Sequence, residues 1–307
     1  MDKILVFGHK SPDTDTITSS LVMEKYLKNK NIDAKAVRLG NVNKETKYVL
    51  NYLKIEEPEL IDTLEDGQKV VLVDHNEFAQ SANNIENAKI MQVVDHHRIY
   101  GFETSEPVNY RAEAVGCTET ILYKMFKEAN MEIEKKEAIL MLSGIISDSL
   151  LFKSPTCTKE DIDVANELAK IADIDVNTYG LEMLKAGTDL SDLSAEELVK
   201  LDAKEVMLGN VKAVIDQVNT ISIEDMLKRK EELENEMTKT INEKSLDVFV
   251  LLITDILNSN SQVITLGKRC DLVEKSYNVE LVDNTAFLPG IVSRKKQVIP
   301  VMTQNAK

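Results

Sequence analysis

The sequence is short of positive charge, histidine and cysteine, and it has no long apolar run. Lysine and arginine number 37 against 52 aspartates and glutamates, a formal net charge of −15 over 307 residues. Phosphate backbones attract a net positive face, so a chain this acidic is not expected to bind nucleic acid. Apolar stretches such as Val248–Ile253 fall far below the roughly 20 residues of a spanning helix, and no membrane partner is expected. Met1–His9 runs straight into an apolar strand, without the basic region, apolar core and cleavage site of a leader. The three cysteines, Cys117, Cys157 and Cys270, lack CxxC spacing. They suit a reducing cytoplasm as small apolar side chains, not as disulfides or sulfur ligands. No internal repeat or low-complexity tract is present. The length points to two domains with a sizeable core.

What is there alternates. Ile4–Phe7, Ala34–Leu39, Val70–Val73 and Ile90–Val94 read as buried strands. Thr16–Lys28, Lys44–Leu53, Thr118–Met125 and Glu137–Ile146 read as helices, and Thr158 caps another ahead of Glu160 and Asp161. Such alternation predicts an α/β fold whose N-terminal domain has a mainly parallel sheet with flanking helices. Ligands of such sheets sit beyond the carboxyl ends of the strands. A composition shift at Ala186–Ser194 marks a linker. We therefore expect domains at 1–187 and 195–307, joined by 188–194. The second reads as a smaller mixed-sheet α/β domain. It has a hairpin around Gly209-Asn210, a long helix from Ile223 to Asn242, and strands at Asp247–Ile253, Val263–Gly267 and Val298–Met302.

The four histidines all lie in polar motifs that follow strands or adjoin aspartates. They occur in Gly8-His9-Lys10-Ser11-Pro12-Asp13-Thr14-Asp15, in Asp74-His75-Asn76 and in Asp95-His96-His97. A further motif without histidine is Gly144-Ile145-Ile146-Ser147-Asp148-Ser149. Carboxylates with imidazoles suit divalent ions, and oxygen-rich sets favour Mg²⁺ or Mn²⁺. Carboxylates converging without cations would repel one another and raise their pKa values. Taken singly, each motif has a plainer reading as a turn, helix cap or strand end. Their conjunction favours a metal centre.

Together the three histidine motifs resemble the signatures of the DHH phosphoesterases. The first is similar in wording to that of the family II inorganic pyrophosphatases, the manganese-dependent class. Ser293-Arg294-Lys295-Lys296-Gln297 resembles that class's phosphate-binding signature. The resemblance spans both domains. It implies that His9 and Asp13 bind one metal, that Asp15, His96 and Asp148 bind another, and that Asp74 is shared. It implies that His97 faces substrate as a donor, with Lys204, Arg294 and Lys295 contacting phosphate. His75 and Asp95 are expected to support ligands by hydrogen bonds. Taken alone, Ser293–Gln297 reads as a solvated edge strand. Arginine forks and lysine charges nevertheless suit a compact anion such as pyrophosphate.

The function that follows from the resemblance is hydrolysis of pyrophosphate to two phosphates. It would use a dinuclear centre with a bridging hydroxide nucleophile, in a cleft between the domains. The cofactors would be two Mn²⁺ per subunit, with Co²⁺ possible and a further Mg²⁺ arriving with substrate. A cytoplasmic homodimer is implied. Two alternatives differ in class. One is a DHH phosphoesterase acting on short oligonucleotides, cyclic dinucleotides or polyphosphate. Many of the nucleotide-directed ones carry a glycine-rich histidine motif in the second domain. Here no histidine follows His97 and no Gly-Gly pair occurs. The other is a non-catalytic sensor, which the intact carboxylate and histidine set disfavours.

Overall fold

Residues 3–306 are described by the structure, a computed structural model; Met1, Asp2 and Lys307, and with them the start of the Met1–His9 reading, lie outside the described residues. The chain divides into two compact units, Met1–Gly187 and Thr188–Lys307.

The first unit opens with β1 (Ile4–Phe7), α1 (Thr14–Asn29), β2 (Ala34–Arg38), α2 (Lys44–Leu53) and β3 (Glu59–Leu60). It continues with β4 (Lys69–Val73), β5 (Lys89–Asp95) and β6 (Asn109–Ala112). Four helices follow: α3 (Thr118–Glu128), α4 (Lys135–Ser149), α5 (Lys159–Ala172) and α6 (Val176–Gly187). The six strands form one sheet in the order β3-β2-β1-β4-β5-β6. Every pairing in it is parallel, as the alternating pattern predicts. The order reverses between β1 and β4. In doubly wound sheets such a switch point opens a crevice at the carboxyl ends of the strands. β1, β4 and β5 are neighbours there, and each delivers one histidine motif.

Buried apolar residues explain the strands. Phe7, Val70, Leu72 and Val93 pack in one cluster and are 0% exposed. α5 starts with a capping box. Thr158 Oγ1 accepts from the Asp161 N–H, and the Asp161 carboxylate accepts from Thr158 N–H in return. A cap of this kind is worth about 1 kcal/mol.

The second unit holds α7 (Ala195–Leu198), β7 (Lys204–Leu208), β8 (Val211–Thr220), α8 (Ile223–Leu227) and α9 (Lys230–Lys244). Then come β9 (Val248–Asp255), β10 (Asn260–Gly267), α10 (Asp271–Tyr277), β11 (Thr285–Pro289), a π-helical turn at Arg294–Val298 and α11 (Ile299–Asn305). The sheet runs β11-β10-β9-β8-β7, and only β8–β9 is parallel. It is the expected mixed sheet. β7 and β8 form the expected hairpin around Gly209, whose φ of +63° suits glycine.

Three local readings are corrected. Val298–Met302 is not a strand: the chain leaves the π-helical turn at Val298 and enters α11, which has Pro300 in its first turn. A short apolar run does not tell a buried strand from a helix, and proline's fixed φ suits a helix start. Ile223–Asn242 is not one helix but two, α8 and α9, broken at Lys228-Arg229. Arg229 there donates through Nη1 to the Leu190 carbonyl at 3.1 Å. Ser293–Gln297 is a helical turn and not an edge strand.

Candidate metal centre

The loop after β1 carries His9 to the mouth of the switch point. Gly8 is required at this place, since a Cβ there would lie 2.4 Å from Thr16 Cγ2 at the start of α1. α1 thus packs tightly over β1. Asp13 is its N-cap and accepts from Thr16 N–H at 3.0 Å. The helix-cap reading of Asp13 is therefore met, and a second carboxylate oxygen remains directed to the site. Asp15, in the first turn of α1, is fully buried. Asp74 follows β4 at φ +56°, in the left-handed region that aspartate and asparagine enter more readily than other non-glycine residues. Its own N–H is fixed by the Val94 carbonyl at 2.9 Å. Asp148 comes from the last turn of α4. A Cβ at Gly144 in that helix would meet Glu119, Asp15 and Thr18 at 2.8–3.0 Å, so glycine lets α4 approach α1 and α3.

Six sequence-predicted ligands meet at this mouth. His9 Nε2 stands 3.6 Å from Asp13 Oδ2 and 3.5 Å from Asp74 Oδ2. His96 Nε2 stands 3.4 Å from Asp74 Oδ1 and 3.5 Å from Asp148 Oδ2. Three sets of donor atoms result, His9–Asp13–Asp74, Asp15–Asp74–His96–Asp148 and Asp74–His96–His97, and Asp74 is in all three. These separations are long for hydrogen bonds. They suit ligands at about 2.1 Å from a common ion, which stand roughly 3–3.5 Å apart.

The electrostatics need a cation. Burial and the Asp15 charge push Asp74 up to about 7. Burial, with Asp15 and Asp74 nearby, carries Asp148 well above the carboxylate range. Burial opposes the charged form of His96, but the Asp74 and Asp15 carboxylates outweigh it and hold the imidazolium to about 9. Burial likewise opposes a charged His9, and Asp13 and Asp74 keep it above its ordinary value. Protons therefore occupy, in part, what divalent ions would neutralise. His96 Nε2 is buried without a hydrogen-bond partner, while its Nδ1 is held by the Val115 carbonyl at 3.2 Å. A donor set of carboxylates and imidazoles with such an orphaned nitrogen fits one or two divalent ions.

Around the six lies a shell that the sequence reading missed in part. Thr16 Oγ1 donates to Asp74 Oδ2 at 2.6 Å, and Thr118 Oγ1 to Asp74 Oδ1 at 3.2 Å. Thr118 N–H and Ser19 Oγ–H donate to Asp15 at 2.8 and 2.9 Å. One signal was legible: Thr14–Ser20 is mostly hydroxyl- and carboxyl-bearing, yet it begins a helix that must pack on a sheet. Asp95 Oδ1 accepts from His97 N–H and Nδ1 at 3.1 and 3.0 Å, and Asn76 Nδ2 donates to Asp95 Oδ2 at 2.6 Å. Asp95 thus orients His97, not one of the six ligands. His97 is half exposed. His75 also differs from expectation. Its Nδ1 meets the Val73 carbonyl at 2.9 Å, its Nε2 has no partner, and burial lowers it to about 4, so it stays neutral.

The basic trio lies in the second unit. Lys204 and Lys295 are exposed, and Arg294 is buried. Arg294 Nη2 donates to Asp202 Oδ1 at 3.0 Å, two residues before Lys204. None of the trio belongs to the six-ligand cluster. Among the described residues, no helix is long and apolar enough to cross a membrane.

The chain is similar to characterised families along its whole length. Residues 3–145 match the DHH family N-terminal domain, and residues 181–305 match the DHHA2 domain. A manganese-dependent inorganic pyrophosphatase of Bacillus subtilis is 57% identical over 305 residues, 99% of this chain and 98% of that one. A Bacillus velezensis protein named as a probable enzyme of the same kind shares the same identity over the same length and coverage. A Methanococcus jannaschii crystal structure, titled "putative family II inorganic pyrophosphatase", is 37% identical with a TM-score of 0.62, over 97% of this chain and 98% of that one. With two domain matches in the expected order and more than half of its residues shared with a named enzyme, the chain belongs to the family II, manganese-dependent inorganic pyrophosphatases, which are hydrolases.

Proposed function

We propose that the chain hydrolyses pyrophosphate to two phosphates at a dinuclear manganese centre. His9 and Asp13 would hold one ion, Asp15, His96 and Asp148 would hold the other, and Asp74 would be shared by both. The observation that carries this reading is the position of Asp74, within 3.4–3.5 Å of both His9 Nε2 and His96 Nε2. Two manganese ions bound there would supply a bridging hydroxide nucleophile near neutral pH and neutralise phosphoryl oxygens.

The chain's own residues do the rest. Asp95 holds the His97 Nδ1 proton, which leaves Nε2 to hydrogen-bond or protonate a phosphate oxygen. Lys204, Arg294 and Lys295 bind phosphate oxygens and offset charge as it builds. Residues 1–187 thus supply the metal ligands and residues 195–307 the cationic contacts, with 188–194 as linker. The reaction needs both sets on one substrate. A further Mg²⁺ accompanies the substrate, and Co²⁺ can replace Mn²⁺. The same reading makes the enzyme a cytoplasmic homodimer, in keeping with three unpaired cysteines.

The test is phosphate release from pyrophosphate by chelator-treated protein reloaded with Mn²⁺ or Co²⁺, with bound metal counted in parallel. Activity with two ions per chain is expected. No activity, or full activity with one ion, rejects the dinuclear reading. A dinucleotide substrate run alongside should be turned over far more slowly.

A further inference from the structure

Arg294 is 3% exposed, and two of its three guanidinium nitrogens, Nε and Nη1, have no hydrogen-bond partner. A buried cation with unpartnered donors is costly, so the surrounding structure must hold it in place. Gln297 within the signature accepts from the Val292 and Ser293 N–H groups at 2.9 and 3.0 Å, but the Arg294 N–H itself is held by a residue outside the Ser293–Gln297 signature. Arg294 N–H donates to Gln217 Oε1 at 3.0 Å. The other end of the same amide donates through Nε2 to the Val292 carbonyl and to Thr254 Oγ1, each at 3.0 Å. Gln217 therefore grips the chain on both sides of Ser293.

The grip is anchored to rigid elements. Gln217 lies on β8, which is paired to β7 and β9, and Thr254 lies on β9. Thr254 Oγ1 is in turn 2.9 Å from Ser261 Oγ on β10. The neighbouring Asp216 acts on the guanidinium only indirectly, through the backbone of Asp202. Its Oδ1 accepts from Gln217 N–H at 2.8 Å and from Asp202 N–H at 3.0 Å, and Asp202 is the residue that binds Arg294 Nη2. A side chain held on sheet strands presents charge with less freedom than one held by a loop alone.

We propose that Gln217 is a positioning residue for pyrophosphate. By fixing the peptide groups that flank Ser293, it sets where Arg294 and Lys295 meet phosphate oxygens. Gln217 itself touches no substrate. The inference rests on the reading of Arg294 as a phosphate contact. A misplaced contact weakens binding of both substrate and product, because each presents the same oxygens.

The experiment uses the manganese-loaded enzyme and the variants Gln217→Met, Gln217→Glu and Arg294→Ala. Three quantities are measured for each: kcat and KM for pyrophosphate, the inhibition constant of inorganic phosphate, and the melting temperature. Gln217→Met removes both hydrogen-bonding ends at similar volume. Gln217→Glu keeps the acceptor for Arg294 N–H and removes the donor. Both are expected to raise KM and the phosphate inhibition constant about tenfold, with kcat changed less than about threefold. Arg294→Ala should raise the same two constants at least as much. If both Gln217 variants keep wild-type constants while Arg294→Ala raises them, the positioning role is overturned and the phosphate reading stands. If Arg294→Ala also leaves them unchanged, the phosphate reading fails and the inference fails with it. A lower melting temperature or kcat with unchanged KM would make Gln217 merely structural and would also overturn the role.

Discussion

Asp95 Oδ1 accepts from both the backbone N–H and the Nδ1 of His97, at 3.1 and 3.0 Å, which fixes the ring with Nε2 free. That hydrogen bond is also the main reason His97 is held above its ordinary pKa, against the effect of burial. Replacing Asp95 by Asn removes the charge at similar size. We expect kcat to fall about 10–100-fold with metal content unchanged. Steady-state kinetics with metal analysis checks this; loss of metal together with activity would place Asp95 with the ligands instead.

Asp74→Ala should abolish turnover and weaken metal binding beyond the roughly 10–100-fold typical of outer-shell changes. Both ions should be affected, because His9 and His96 face the same carboxylate. Equilibrium dialysis of the variant against Mn²⁺ gives the answer. Wild-type turnover would sink the shared-ligand role.

Thr16→Val is a milder probe. It removes the hydroxyl that donates to Asp74 Oδ2 at 2.6 Å and keeps the branched shape in a fully buried place. Mn²⁺ affinity should drop about 10-fold or more, while the melting temperature of the metal-free protein moves little. Equal affinity in the two proteins would mean the hydroxyl does not orient Asp74.

Metal uptake should release protons. In the metal-free protein Asp74 is pushed up to about 7 by burial and Asp15, and His96 is held to about 9 by carboxylates that outweigh burial. Both must lose their protons to bind a cation, so apparent Mn²⁺ affinity rises as pH rises from about 6 to 9. Below that window protons win the site. Calorimetry in buffers of different ionisation enthalpy reads the number released. A pH-independent affinity with no proton release would contradict the assignment.

Much of the fold was legible because local periodicity and tertiary role agree. Lys44–Leu53 is a helix over the predicted residues, and β1, β4 and β5 stand where apolar runs end in polar motifs. The failures cluster where local signals are equivocal. Val298–Met302 has five residues, too few for a period, and its environment made it the entry to a helix. The split at Lys228-Arg229 depends on a contact to Leu190, 39 residues earlier. Asp13 shows both readings at once, as a cap for α1 and as a member of the His9 group.

By itself, the sequence determined the chemistry available. Four histidines in aspartate-bearing motifs and no sulfur motif already confined the ligands to oxygen and nitrogen. Covalent order alone also put each histidine motif at the end of a strand, while Asp148 closes a helix. Only the tertiary structure decided that the motifs meet. The strand order β1-β4-β5 makes neighbours of segments far apart in the chain, and parallel pairing brings all three carboxyl ends to one side. The left-handed turn at Asp74, its clasp by Thr16 and Thr118, and the grip of Gln217 on Arg294 depend on that packing. The physical reason is range: propensity and pattern act over a few residues, whereas a ligand set is defined by distances between residues that only the sheet brings together.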